Sequence, residues 1–173
     1  MFKYRHNECV GGYLQEGYHM DDIMFRNAMS KFATGITVVT TEKDGQAHGM
    51  TVNAFMSVSL NPKLIVVSID KRASMLHILQ ETKKYAVSIL NEDQKEYSMI
   101  FAGQLKDRRE VDFDWLNGLP VLKDAVARIT CEVFSEYEAG DHILFFGKVT
   151  GGEVSDRNPL VYFNRKYGKF ESE

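Results

Sequence analysis

HGMTVNAFMSVSLNPKLIVVSID, residues 48–70, decides the fold. It opens as a strand in which small polar side chains alternate: Thr51 and Asn53, followed by Ser57 and Ser59. Alternation puts Thr51 and Asn53 on one face of that strand. The stretch reads as a strand and then a loop, stopped at Asn61-Pro62. KLIVVSID is then a near-continuous apolar strand, as expected when both faces are buried. Just upstream, ITVVTT is β-branched and strand-like. Asp44-Gly45 between these runs is the turn signal of a hairpin.

Working outward, Met24, Phe25, Ala28, Met29 and Phe32 recur at helical spacing, which predicts an amphipathic helix over 22–33, ended by Gly35. Asp21 and Asp22 stand at its start, where carboxylates cap free amides and suit the dipole. Ser74 is positioned to cap a helix over MLHILQET. YAVSIL is another strand, and EDQKEYSMIFAG is a helix with Tyr97, Ile100 and Phe101 inward. Residues 103–118 are polar and charged, with Trp115 among them, and read as a loop or short lid. ARITCEVFSEYEAG and DHILFFGKVTGGEV form a long hairpin turned at Gly140-Asp141, and PLVYF is the last strand. Six or seven strands, mostly joined by hairpins, with three helices, predict a mainly β chain with peripheral helices: an antiparallel barrel, closed or partly closed.

One domain is expected over residues 20–173. Residues 1–19 lack apolar periodicity and carry Gly11, Gly12 and Gly17. They are either a translated leader, with Met20 the natural start and purine-rich codons for Gln15-Glu16-Gly17 upstream of it, or a variable arm packed on the barrel or a dimer mate.

The chain has 173 residues, 44% of them hydrophobic and 26% charged, which suits a globular domain. A formal net charge of −3 leaves no basic surplus for bulk nucleic-acid binding. Its two cysteines, Cys9 and Cys131, make neither a C-x-x-C pair nor a zinc-spaced cluster, so a reducing cytoplasm fits. No apolar run is long enough for a bilayer span, and the first residues lack signal-peptide order. G-x-S-x-G, P-loop, H-E-x-x-H and G-x-G-x-x-G motifs are absent. No metal site is expected, and the chemistry points to an organic cofactor.

FATGITVVTT, GMTVNAFMSVSLNPKLIVVSI, YAVSILNEDQ, FAGQ, GLPVLKDAVARITCEV, GDHILFFGKV and PLVYFNRKYGKF resemble, in order and spacing, the flavin reductase family with the FMN-binding split β-barrel. The likeness runs from about Asp22 to Phe170 and is strongest to the small reductase components of phenol and 4-hydroxyphenylacetate hydroxylases. It implies NADH-dependent reduction of FAD or FMN, with a lean to FAD, in a cytoplasmic homodimer. Diffusible reduced flavin would then serve a separate aromatic-hydroxylating monooxygenase. Two other readings are a split-barrel FMN oxidase with its own organic substrate, and a non-catalytic flavin-binding protein.

Carried over by position, Thr34, Gly35, Ile36 and Thr37 resemble the strip beside the isoalloxazine ring. Thr51, Asn53 and Ala54 resemble partners of the ring's polar edge, and Ser57 and Ser59 resemble contacts to the ribityl chain and phosphate. Lys84 would add charge near the phosphate, or is a plain exposed lysine at a helix end. Without the resemblance, the polar alternation describes equally a barrel strand facing water. His142 of the GDH motif resembles a histidine against the nicotinamide, and otherwise solvates a hairpin tip. Tyr167 resembles a residue near the nicotinamide nucleotide, and otherwise shares a packing stripe with Tyr162 and Phe163. Phe113 and Trp115 would cover the pocket or belong to the core. No side chain is expected to be an obligatory acid or base, since a hydride moves between two cofactors.

Overall fold

The computed structural model describes residues 20–105 and 111–171; the expectation for residues 1–19 lies outside them. Asp21 caps the first helix, its carboxylate accepting the Met24 N–H at 2.7 Å. This helix, α1, spans Asp22–Met29 and stops at Ser30, short of the 22–33 that periodicity predicted. β-Branched residues take over at Thr34. In chain order follow β1 (Thr34–Gly35), β2 (Thr37–Lys43), β3 (Gln46–Val52), β4 (Phe55–Leu60), β5 (Lys63–Asp70) and α2 (Ser74–Thr82). Then come β6 (Lys84–Ile89), α3 (Lys95–Phe101), β7 (Phe113–Leu116), β8 (Leu119–Leu122), β9 (Ala127–Ala139), β10 (His142–Val154), β11 (Leu160–Phe163) and β12 (Lys166–Lys169).

The main sheet is antiparallel throughout, in the order β3-β2-β6-β9-β10-β5-β4. Its two edge strands therefore point the same way, yet only Asn53 and Ala54 lie between them in sequence. A flat sheet would hold those edges about 29 Å apart, at about 4.8 Å per strand spacing. Three peptide steps reach about 11 Å at most. The sheet must curl until its edges meet, so β3 and β4 form one long strand kinked at Asn53-Ala54. Its first half pairs with β2 and its second half with β5. This is an antiparallel split barrel.

Neighbouring residues of β2 serve two cores. Val39 joins Val52, Val67, Ile69, Tyr85 and Phe145 inside the barrel, where α2 adds Met75, Leu76 and Leu79. Val38 joins Ile36, Leu90, Leu122 and Leu160 outside it, under α3. Both valines are fully buried. The hydroxyls that this double burial traps are bonded: Thr40 donates to the Pro120 carbonyl and Thr41 to that of Lys84. A small sheet, β1-β11-β12, leans on the outer core.

Four expectations need correction. The segment read as a loop after Asn53 is an edge strand, β4, with Met56, Ser57 and Val58 exposed because no described residue covers it. Phe113–Leu116, within the expected lid, is strand β7, paired with β8 around Asn117-Gly118. PLVYF is not last: β12 returns after a turn at Asn164-Arg165, both with positive φ. Ser74 is the first residue of α2 rather than its cap; Ala73 holds that place, and no side chain caps the helix. The two turns at Asp44-Gly45 and Gly140-Asp141 stand where the sequence put them.

Candidate functional site

The β2–β3 register pairs Thr37 with Val52. Two residues beyond that pair, on either strand, stand Gly35 and Ala54, where the ladder has ended: Gly35 pairs with Val161 of β11, and the Ala54 carbonyl takes the Ser68 N–H of β5. Gly35 and Ala54 are both exposed. Gly35 lies outside the left-handed region, and a Cβ built on it meets no atom within 4 Å. Nothing among the described residues requires glycine there. A glycine and an alanine thus leave exposed backbone, with no side chain larger than a methyl, where the two strands part, a surface of the kind a flat ring system can lie on.

Hydroxyls border the strip. Thr34 pairs across β1 and β11 with Tyr162, which pairs in turn with Tyr167. The two tyrosine rings meet edge to face at 5.4 Å. The Tyr167 hydroxyl lies 3.1 Å from the Ser98 Oγ of α3, and the Ser98 carbonyl accepts the Thr51 hydroxyl at 2.7 Å. Thr51, Ser98 and Tyr167 are therefore one connected row joining β3, α3 and β12. Beyond Thr51 opens a cavity of about 610 Å³ between β3, the start of α2 and the end of α3. Its walls include Gly49, Thr51, Met75, Phe101 and Gly103. That volume is within the range of small-molecule sites. Phe113 lines it and Trp115 does not; Trp115 is exposed on β7.

The remaining candidates divide sharply. Ile36 is buried in the outer core and Thr37 spends its hydroxyl on the Val52 carbonyl, so each faces the chain and offers a ligand at most backbone. Asn53 is exposed at the kink, and the Ala54 carbonyl is taken by the Ser68 N–H. Ser57 is exposed and Ser59 half-buried on β4, the other lip of the split. Lys84 is not brought to this group. It stands across from Glu42 on β6, roughly 17 Å along β2 from Thr37, and its Nζ is 4.0 Å from the Glu42 carboxylate.

His142 opens β10 opposite Asp70 of β5. Its Nδ1 is 2.7 Å from the Asp141 carboxylate, which this bond holds below its ordinary range. Asp70 is held far lower by the Arg72 guanidinium and backbone N–H. Ala54 meets Ser68 on the other side of β5. His142 is thus two strand spacings and two residues from Ala54, roughly 12 Å between backbones. This places it within reach of a second ring stacked beside the strip, but not in the Thr51–Tyr167 row.

Ser98 was not foreseen. It lies in a helix read only for its apolar face, and its partners come from strands 47 and 69 residues away. FAGQ, which follows it and carries the resemblance, was the available signal. Burial pushes the Cys131 thiol up to about 12, so it is inert packing inside the barrel. No helix of the described residues is long and apolar enough to cross a membrane.

The flavin reductase like domain family matches residues 29–171. An NADH-dependent flavin reductase of a Rhodococcus species is 42% identical over 149 residues, which cover 84% of this chain and 85% of that protein. The reductase component of 4-hydroxyphenylacetate 3-monooxygenase from Thermus thermophilus is 35% identical over 144 residues, covering 83% and 93%. Among solved structures, flavin reductase PheA2 in its native state superposes with a TM-score of 0.87 at 57% identity, over 88% of this chain and 100% of that one.

Proposed function

We infer the function from the premise that this chain belongs to the flavin reductase like domain family. It is an oxidoreductase that uses NADH to reduce FAD or FMN and so supplies reduced flavin to a separate monooxygenase. The observation that carries this to the present residues is the exposed backbone at Gly35 and Ala54, small positions that no packing among the described residues demands at Gly35 and that a flat ring would demand.

The chemistry that the bound flavin supplies is acceptance, at its N5, of the hydride given by nicotinamide C4. The chain's own residues have to stack two rings at contact distance, orient them and keep water out. Gly35 and Ala54 offer a flat floor. Thr34, Thr51, Asn53 and the free backbone of edge strand β3 offer donors and acceptors to the polar edge. Ser57 and Ser59 stand on β4, the other lip of the split, with a bulge between them that sets them opposite Ile65 and Leu64; we assign them to the ribityl chain and phosphate. His142 hydrogen-bonds the nicotinamide carboxamide, and Tyr167 borders the nucleotide. Lys84, distant and paired, has no part in this assignment. An anaerobic mixture of protein, NADH and excess FAD tests the whole. NADH absorbance should fall in step with that of oxidised flavin; stable NADH would refute the function.

The protein works as a homodimer. The support is α1, whose Ile23, Met24, Phe25 and Met29 are each more than half exposed while no residue of the helix is buried. Such a face is expected to be covered, and a second copy of the chain is our choice of cover. Sedimentation of the pure protein at about twice the chain mass is the expected result. The protein acts in the cytoplasm, and reduced flavin leaves it by diffusion. With reductase and oxygenase separated by a membrane that passes only small molecules, under low oxygen, hydroxylated product should still form. Product only on mixing the proteins would show that contact is needed.

A further inference from the structure

Lys95 is the first residue of α3, where the helix dipole disfavours a cation. Helix stability therefore does not account for it. Its Nζ lies 5.2 Å from the centroid of the Tyr167 ring. Among the described residues it has no carboxylate within ion-pair distance, whereas Lys84, the cation expected from the sequence, is matched to Glu42. The ring beneath it is fixed twice, by the Ser98 hydroxyl at 3.1 Å and by the edge contact with Tyr162. An exposed, unmatched ammonium thus stands at the outer end of the row that begins at Thr51. Its three donors remain directed to solvent or ligand. A compact cation with rotatable donors is suited to phosphate oxygens.

We propose that Lys95 is the phosphate anchor of the nicotinamide-nucleotide subsite, its ammonium binding the pyrophosphate of NADH. This rests on the placement of the nucleotide beside Tyr167 given above. It adds a charged residue to a site otherwise made of hydroxyls, backbone, the Asn53 amide and one histidine.

The test compares two hydride donors on the holoenzyme: NADH, and 1-benzyl-1,4-dihydronicotinamide, which carries no phosphate. Lys95→Gln should raise the KM for NADH about tenfold, the scale of one charge-assisted hydrogen bond. The preference for NADH over the benzyl donor should fall by the same factor. Lys95→Arg should recover most of the loss, and salt should raise the NADH KM of wild type more than that of Lys95→Gln. Titration with FMN and with riboflavin, followed by fluorescence, should show no selective loss of FMN in Lys95→Gln. An unchanged NADH KM would overturn the assignment. So would an equal rise for both donors, because the lysine would then act only through Tyr167. A selective loss of FMN affinity would overturn it too, giving the ammonium to the flavin phosphate. Wild-type protein that oxidises neither donor would instead refute the flavin reductase function itself.

Discussion

Gly35 and Gly147 are the same residue kept for opposite reasons. A Cβ on Gly147 would lie 2.7 Å from the Tyr85 ring carbon that bears the hydroxyl and 2.9 Å from the Cys131 Cβ, inside the barrel wall. A Cβ on Gly35 would meet nothing. The first glycine answers to the protein's own packing. The second lies in a strand with no described atom near that Cβ, and on our proposal it answers to the flavin ring.

The contrast breaks most easily at the strip. Ala54→Leu, or Gly35→Val, should fold normally and lose flavin by a hundredfold or more, on the order of 3 kcal/mol, because the new side chain occupies the volume of the ring. Flavin fluorescence titration alongside an unfolding curve checks both halves. Normal flavin affinity in Ala54→Leu would remove the ring strip from its place. Gly147→Ala should do the reverse. Forcing a methyl against Tyr85 and Cys131 should cost about 1–3 kcal/mol of stability. The molecules that remain folded should bind flavin as before. Denaturant unfolding of the apoprotein measures the cost; an unchanged midpoint would show that Tyr85 yields freely.

Much of the fold was legible because the turns were. Asp44-Gly45 and Gly140-Asp141 name their own conformation, and the strands they join follow. The hairpin β7–β8 carried the same kind of signal in Asn117-Gly118, hidden within a charged stretch. β12 had none: KYGK has no strand pattern, and it pairs only because β11 is beside it. The site divides in the same way. Thr51 and Asn53 declare a polar face by alternation, and Gly35 stands in FATGITVVTT, a stretch that carries the resemblance. Ser98 and Lys95 reach Tyr167 through tertiary packing of α3, which spacing does not encode. Lys84 misled because a lysine before a strand looks alike whether it faces a phosphate or Glu42.

A smaller effect sharpens the comparison at its exposed end. His142 is held by its hydrogen bond to Asp141 at a hairpin end. His142→Ala should weaken NADH use by about tenfold, the worth of one good hydrogen bond, with flavin affinity nearly unmoved. The opposite pattern, flavin lost and NADH KM kept, would move His142 out of the nicotinamide subsite.

The smallest effect concerns the partner of that histidine. Asp141 bonds the His142 Nδ1 at 2.7 Å, and this bond lowers its carboxyl from the usual 3.8. Fixing Nδ1 leaves Nε2 as the ring atom free to meet a nucleotide. A group whose folded value is lowered stabilises the fold above its unfolded value and ceases to do so as pH falls through the folded one. The contribution of Asp141 should therefore be constant at neutral pH and vanish only below 3.8. Because the pair is exposed to solvent, it should be small and sensitive to salt. Asp141→Asn should raise the NADH KM less than His142→Ala does, by about two- to threefold, since the amide can still accept a hydrogen bond. Unfolding curves of wild type and Asp141→Asn, taken from neutral to acid pH, should differ slightly at neutrality and merge in acid. A difference that instead grows as the pH falls would show that Asp141 is not the partner which holds His142.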